Sequence, residues 1–355
     1  MDAPTATVAR PRLARLDGLR GIAACGVAFA YHSQNAFAPG QFAGYGVVVE
    51  WLHVWGWAFV DLFFVLSGYV FAEVYLPDER LRAAGGWRAF WTARIARLYP
   101  LHLVMLLACT ALFFARPENG PVAFAAHLLM LQAFIAPVGR SFDGLTWSLS
   151  VEAGCYLLFA IGAAAGRRAL GWIGGVALVG SLVVLTLIGR AGGPWPNEVL
   201  LRGLLGFFLG QLLWRHRAAL RHVPAGVLAA ALAAGLLLDV GRWTPLLPLC
   251  LLAWPAALLL ALRTSVMENR SFLWLGERSY AIYLIHLPLI EVIVQGFGKL
   301  SGGPAFVLAA HAAIALATLM LADLALRFVE RPARAAIRAR WGEGSPAAAP
   351  AVLPA

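Results

Sequence analysis

Apolar residues run through this chain in long blocks and not in strict alternation. Blocks near 20–38, 54–76, 98–115, 147–165, 170–190, 199–214, 223–240, 245–262, 279–298 and 305–327 each reach or approach the roughly 20 residues a helix needs to cross a hydrocarbon core. They predict an all-α polytopic membrane protein: a bundle of about ten transmembrane helices around a central polar cavity, with both chain ends on one side. A further apolar piece, VAFAAHLLMLQAFIAPV at 122–138, would reverse the side of every later loop if it crossed. It is expected to form a short or re-entrant helix on the outer face.

Arginine placement sets the orientation, because cytoplasmic loops collect Lys and Arg. With ten crossings, 22 basic residues fall on the side of the termini and 5 on the other, with Arg202 inside a run. Both termini are therefore expected in the cytoplasm. The rest of the composition agrees with a membrane setting. The 355 residues are 61% hydrophobic and 13% charged, with a mean hydropathy of +0.75, against roughly 45–50% apolar residues in a soluble domain. The net charge of +10 is spread between apolar runs, without basic patches interleaved with aromatics, so no nucleic-acid partner is expected. Cys25, Cys109, Cys155 and Cys250 each sit in an apolar run without ligand spacing and read as small buried residues, neither disulfides nor metal ligands. The stretch MDAPTATVARPRLAR has no short apolar core with a small-residue cleavage site, so no removable signal peptide is expected. The organisation expected is a cytoplasmic N-terminal tail at 1–15, a transmembrane domain at 16–335 and a disordered cytoplasmic tail at 336–355, whose end, SPAAAPAVLPA, is rich in Pro and Ala.

Ionisable residues inside a crossing are costly unless they face a wet cavity or a partner, so each is a candidate for function. In LDGLRGIAACGVAFAYH, Arg20 falls at the cytoplasmic interface, and His32 lies about 18 Å further along a helix. A histidine there can exchange a proton near neutral pH, or simply pack against a neighbouring backbone. In WAFVDLFFVLSGYVFAEVY, Asp61 is a candidate polar group, whereas Ser67 and Gly68 also suit close helix packing. Arg94 and Arg97 of RAFWTARIARLYPLHLV are spaced i, i+3 and suit either a topological anchor or the phosphates of a nucleotide-containing donor. Glu152 of LTWSLSVEAGCYLLF and the pair Tyr283 and His286 of LGERSYAIYLIHLPLIEV complete the set. For the last pair, a kink before Pro288 is the competing structural account.

The segments LDGLRGIAA through YH, FVDLFFVLSGYVF, RIARLYPLH, LTWSLSVE, LGERSYAIYLIHLPL and FVERPAR resemble, in order, the acyltransferase type 3 family of bacterial integral membrane acyltransferases. That resemblance implies an enzyme of the inner membrane. It would take an acyl group, usually acetyl, from cytoplasmic acetyl-CoA or another acyl-CoA and deliver it to a hydroxyl at or across the membrane. Acceptors in the family include polysaccharides, peptidoglycan, lipid-linked oligosaccharides and polyketide macrolides. His32 would correspond to the family's essential histidine and Arg20 to its partner arginine, and Arg94 and Arg97 match arginines associated with the donor. With the intramembrane charges added, the candidate catalytic residues are His32, Arg20, Asp61 and Glu152. The candidate donor-binding residues are Arg20, Arg94, Arg97, Ser67, Tyr283 and His286. No metal is expected. His32 would either deprotonate the acceptor or carry the acyl group covalently.

One spacing departs from the family. The residues GIAACGVAFAY place eleven positions between Arg20 and His32, where the family usually has ten. On a regular helix the extra residue turns the two side chains from about 20° apart to about 120° apart. Either they do not need to share a face or a π-bulge absorbs the insertion, and Cys25–Gly26 is where it is expected. The competing class of function is a transporter or flippase whose polar pathway is lined by Asp61, Glu152 and His286, although no inverted repeat supports it.

Overall fold

The computed structural model describes residues 5–135, 138–188, 196–239 and 246–341. Among these the chain is helical, and the single β-type pairing is an isolated bridge between Phe37 and Leu300. The helices are α1 (Thr5–Cys25), α2 (Val47–Trp55), α3 (Phe59–Tyr75), α4 (Gly86–Phe113), α5 (Pro121–Leu128), α6 (Trp147–Ala165), α7 (Arg167–Ile188), α8 (Pro196–Arg215), α9 (Arg217–Leu220), α10 (Ala225–Leu237), α11 (Leu246–Pro248), α12 (Trp254–Ala261), α13 (Arg270–Phe297), α14 (Pro304–Ala325) and α15 (Arg331–Trp341). Local chemistry sets their ends. Asn269 caps α13 by accepting from the Ser271 N–H at 3.0 Å, and Gly298 ends that helix at φ +72°, a conformation that costs glycine little.

Among the described residues, six helical stretches are long and apolar enough to cross a membrane: Val47–Tyr75, Gly86–Phe113, Gly144–Ala165, Arg167–Ile188, Arg270–Phe297 and Pro304–Trp341. This is a multi-pass membrane protein. Trp172, Val176, Val179 and Val183 on α7 are exposed, as expected of a face turned to lipid. The other four expected crossings are helical in part but do not meet that standard of length and apolar composition among the described residues. The first is interrupted after Cys25, α8 dilutes its apolar run with Glu198, Arg202 and Gln211, and Ala225–Leu237 and Leu246–Ala261 are short. The 122–138 piece is not a crossing, because its helix has only eight residues. At the C-terminus α15 carries helix through Trp341, so the first part of the expected tail is ordered; SPAAAPAVLPA lies outside the described residues.

Two close helix crossings position the polar interior. Where α1 meets α13, a Cβ added to Gly21 would stand 2.7 Å from the backbone nitrogen of Gly276, so only glycine lets these backbones approach so closely. Where α3 meets α8, a Cβ on Gly68 would overlap the carbonyl of Phe207. An aromatic core fills the space beside the second crossing, with Phe71 stacked on Tyr156 at 4.3 Å between ring centroids and edge-on to Phe207 at 5.6 Å.

Candidate active site

His32 stands at the end of a π-helical turn. Residues Gly26–Tyr31 form that turn, and the His32 N–H closes it on the Val27 carbonyl, five residues back. The bulge begins at Gly26, where a Cβ would meet the Phe59 ring at 2.6 Å. The insertion between Arg20 and His32 is therefore absorbed as a π-turn, the second of the two possibilities the spacing left open. A 3-10 turn follows from His32 to Ala36, held by Ser33 Oγ donating to the Phe29 carbonyl at 2.5 Å.

The α1–α13 crossing then brings two histidines together. His32 Nδ1 lies 3.0 Å from His286 Nε2, and His286 Nδ1 lies 2.9 Å from the Ile282 carbonyl. A carbonyl only accepts, so His286 Nδ1 carries the hydrogen and its Nε2 carries a lone pair. That lone pair accepts from His32 Nδ1–H. The remaining ring nitrogen, His32 Nε2, is left as the basic atom, with no protein hydrogen-bond partner among the described residues. His32 lines a cavity of about 970 Å³, open space at its mouth included, together with Trp57, Trp147, Tyr283, Arg140 and Glu291. His286 is fully buried behind His32 and lines neither this cavity nor the next. It is thus a neighbour of His32 with both its ring nitrogens already engaged.

A second cavity, of about 1080 Å³ counted in the same way, is lined by Arg20, Arg94, Arg97, Arg334 and Arg338, with Ser67 and Glu152 among its other walls. Arg20 and His32, paired by the resemblance, therefore face different cavities. Arg94 is enclosed by aromatic rings, its guanidinium 4.8 Å from the Phe71 centroid and 5.7 Å from that of Tyr156. Its Nε and Nη2 are buried without a hydrogen-bond partner among the described residues. Arg97 sits over Tyr280 at 5.3 Å and donates to Glu330 Oε2 at 3.2 Å, and its Nη2 likewise has no partner among the described residues. Glu152 accepts from Ser67 Oγ at 3.0 Å and from the Tyr156 hydroxyl, so it belongs with Arg94 and not with His32.

Val60 and Tyr283 line both cavities. Tyr283 is fixed there by donating its hydroxyl to the Leu145 carbonyl at 3.1 Å and accepting from Ser148 Oγ at 3.0 Å. Beside this waist, Asp61 is fully buried and lines neither cavity. Arg202 grips it with two parallel bonds, Nε to Oδ1 at 3.0 Å and Nη2 to Oδ2 at 2.7 Å. The guanidinium also lies 4.5 Å from the Trp57 ring and 5.2 Å from that of Trp147. A bidentate, ring-covered pair of this kind positions the walls of the histidine cavity more readily than it exchanges protons. Sequence reasoning missed Arg202 as the partner. Its signal was a lone arginine within an apolar run. It also gave no site role to Arg334, the last residue of the FVERPAR segment, or to Arg338, which counted there only as topological charge.

The fold and its two back-to-back cavities define a multi-pass membrane protein with a polar interior, one side of it a poised histidine and the other an arginine cluster. Residues 13–322 match the acyltransferase domain family, and the chain belongs to this acyltransferase type 3 family. It is 26% identical to a putative peptidoglycan O-acetyltransferase, YrhL, of Bacillus subtilis over 90% of this chain and 54% of that protein. It is 29% identical to the acyltransferase MdmB of Streptomyces mycarofaciens over 88% of each. With the peptidoglycan O-acetyltransferase OatA of Listeria monocytogenes it shares 25% identity over 93% of this chain and 57% of that one. The chain thus spans little more than half the length of the two peptidoglycan O-acetyltransferases and most of MdmB. No solved structure matches it.

Proposed function

We propose that the protein is a membrane O-acyltransferase that takes an acyl group, acetyl in the first instance, from acyl-CoA on the cytoplasmic side. It would deliver the group to a hydroxyl of a carbohydrate or related acceptor. The observation that carries this reading is the pairing of cavities: a histidine with a free Nε2 lone pair on one side of the Val60–Tyr283 waist and unsatisfied guanidinium donors on the other. The orphan N–H groups of Arg94 and Arg97 are what an anionic, carbonyl-rich donor would satisfy, and burying them without a ligand is costly. The arginine bias of the loops supports a cytoplasmic arginine cavity and cytoplasmic termini in a bacterial inner membrane.

In the reaction, His32 Nε2 takes the proton of the acceptor hydroxyl as its oxygen attacks the thioester carbonyl. The new C–O bond forms, the C–S bond breaks, and the proton passes from His32 to the leaving thiolate. The hydrogen bond from Nδ1–H to His286 supports the imidazolium formed midway. Trp57 and Trp147 beside a rim bearing Arg140 and Glu291 suit a sugar, whose ring packs on aromatics while its hydroxyls meet charged groups. The two relatives named for peptidoglycan make a cell-wall glycan the first acceptor to try. Membrane vesicles supplied with radiolabelled acetyl-CoA should transfer label to envelope glycan, and His32→Ala, inserted at the same level, should not. Full transfer by His32→Ala would refute the assignment.

A further inference from the structure

We infer that the last helix, α15, forms the phosphate-binding wall of the donor cavity, with Arg334 and Arg338 joining Arg97 to hold the phosphorylated end of a nucleotide-linked acyl donor. This rests on the acyl-CoA reading above and adds Arg338 together with a role for Arg334, which lies in the FVERPAR segment but was given no function by it.

A second π-turn prepares that wall. Residues Leu326–Glu330 continue α14 as a π-helical turn before α15 begins at Arg331. The turn carries Glu330 to a site only 1% exposed, where its Oε2 accepts from Arg97 Nη1 at 3.2 Å and from Arg334 Nη2 at 2.7 Å. One carboxylate thus ties α15 to α4 and holds two guanidinium groups side by side. Neither is saturated by it: Arg97 Nη2 and Arg334 Nε are buried with no hydrogen-bond partner among the described residues. Arg338, one turn further on, lines the same cavity, as do Arg20 and Asp17.

At this wall four guanidinium groups meet two carboxylates, Asp17 and Glu330, so the cavity carries an excess of positive charge and spare N–H donors. Arg94 stands apart among the rings of Phe71 and Tyr156, so Arg94 and Arg97, three residues apart on α4, serve different walls. Phosphate esters, which accept on several oxygens and keep their charge, fit the α15 wall better than a neutral pantetheine amide does.

The test compares two donors on the purified protein in lipid vesicles: acetyl-CoA, and S-acetylpantetheine, which lacks the adenosine and every phosphate. Arg338→Ala, at an exposed position, should raise the KM for acetyl-CoA about tenfold, leave kcat unchanged, and leave transfer from S-acetylpantetheine as in wild type. Arg338→Lys should recover part of the loss, and added salt should shrink the difference between variant and wild type. An equal effect on both donors would make α15 a structural element, and no effect on either would remove it from the donor site; each overturns the inference. If the wild-type protein neither binds nor uses acetyl-CoA, the donor reading itself fails and this wall falls with it, a result distinct from a variant-specific outcome.

Discussion

Replacing His286 by leucine removes the acceptor that fixes the tautomer of His32. The Nδ1–H of His32 would be left facing an apolar side chain in a site sealed by the α1–α13 crossing. A buried donor that loses its partner costs about 1–3 kcal/mol, and His32 can avoid that cost by moving its hydrogen to Nε2, which disarms the base. Spent on the barrier, the same energy slows the reaction about 5- to 150-fold. Because His286 lines neither cavity, the loss should fall on kcat and spare the KM for the donor. His286→Gln offers a carbonyl oxygen near the position of Nε2 and an amide N–H near Ile282, and should recover much of the rate. Initial rates of label transfer in vesicles, at matched protein levels and melting temperatures, measure both variants. Wild-type kcat in His286→Leu, or equal damage in His286→Gln and His286→Leu, would refute the tautomer argument.

Asp61→Ala should destabilise the protein by about 3–5 kcal/mol, because it removes the carboxylate that grips the buried Arg202 charge. The paired change Asp61→Leu with Arg202→Met should restore thermal stability in detergent, and measurable transfer by that double variant would place Asp61 outside the chemistry. Val60→Trp should obstruct the waist between the cavities, lowering transfer on the order of 100-fold while acetyl-CoA still binds by calorimetry. Unimpaired transfer would mean that the two cavities do not communicate there.

Periodicity and charge made much of this protein legible. The helical class and membrane setting follow from long apolar runs, and the irregular spacing between Arg20 and His32 anticipated the π-turn near Gly26. Pairings between distant segments were not legible, because nothing local encodes them. Asp61 meets Arg202 across 141 positions, Arg97 meets Glu330 across 233, and His32 meets His286 across 254. The i, i+3 spacing of Tyr283 and His286 correctly put them near one face of α13. It could not show that Tyr283 would line both cavities while His286 sits behind His32, since that depends on where α1 lies. Likewise Arg94 and Arg97 read as one fork on a helix, and only the rings on one wall and Glu330 on the other divide them. Some of the ten apolar runs carry charges such as Arg202, which the fold satisfies with a partner from another helix.

The π-turn ahead of His32 has a consequence for how this chain can vary. A turn bonded five residues back holds one residue more than an α-helix within about the same number of turns, so length can change there without rotating what lies on either side. Deleting Ala28 should convert Gly26–Tyr31 to regular helix and return the chain to its family's usual spacing, with Arg20 still in its cavity and His32 still against His286. The same deletion a turn earlier, between Arg20 and Cys25, would instead swing the histidine by about 100°. The stretch before His32 is thus a place where sequence length is decoupled from side-chain direction, and it marks which insertions this scaffold can accept.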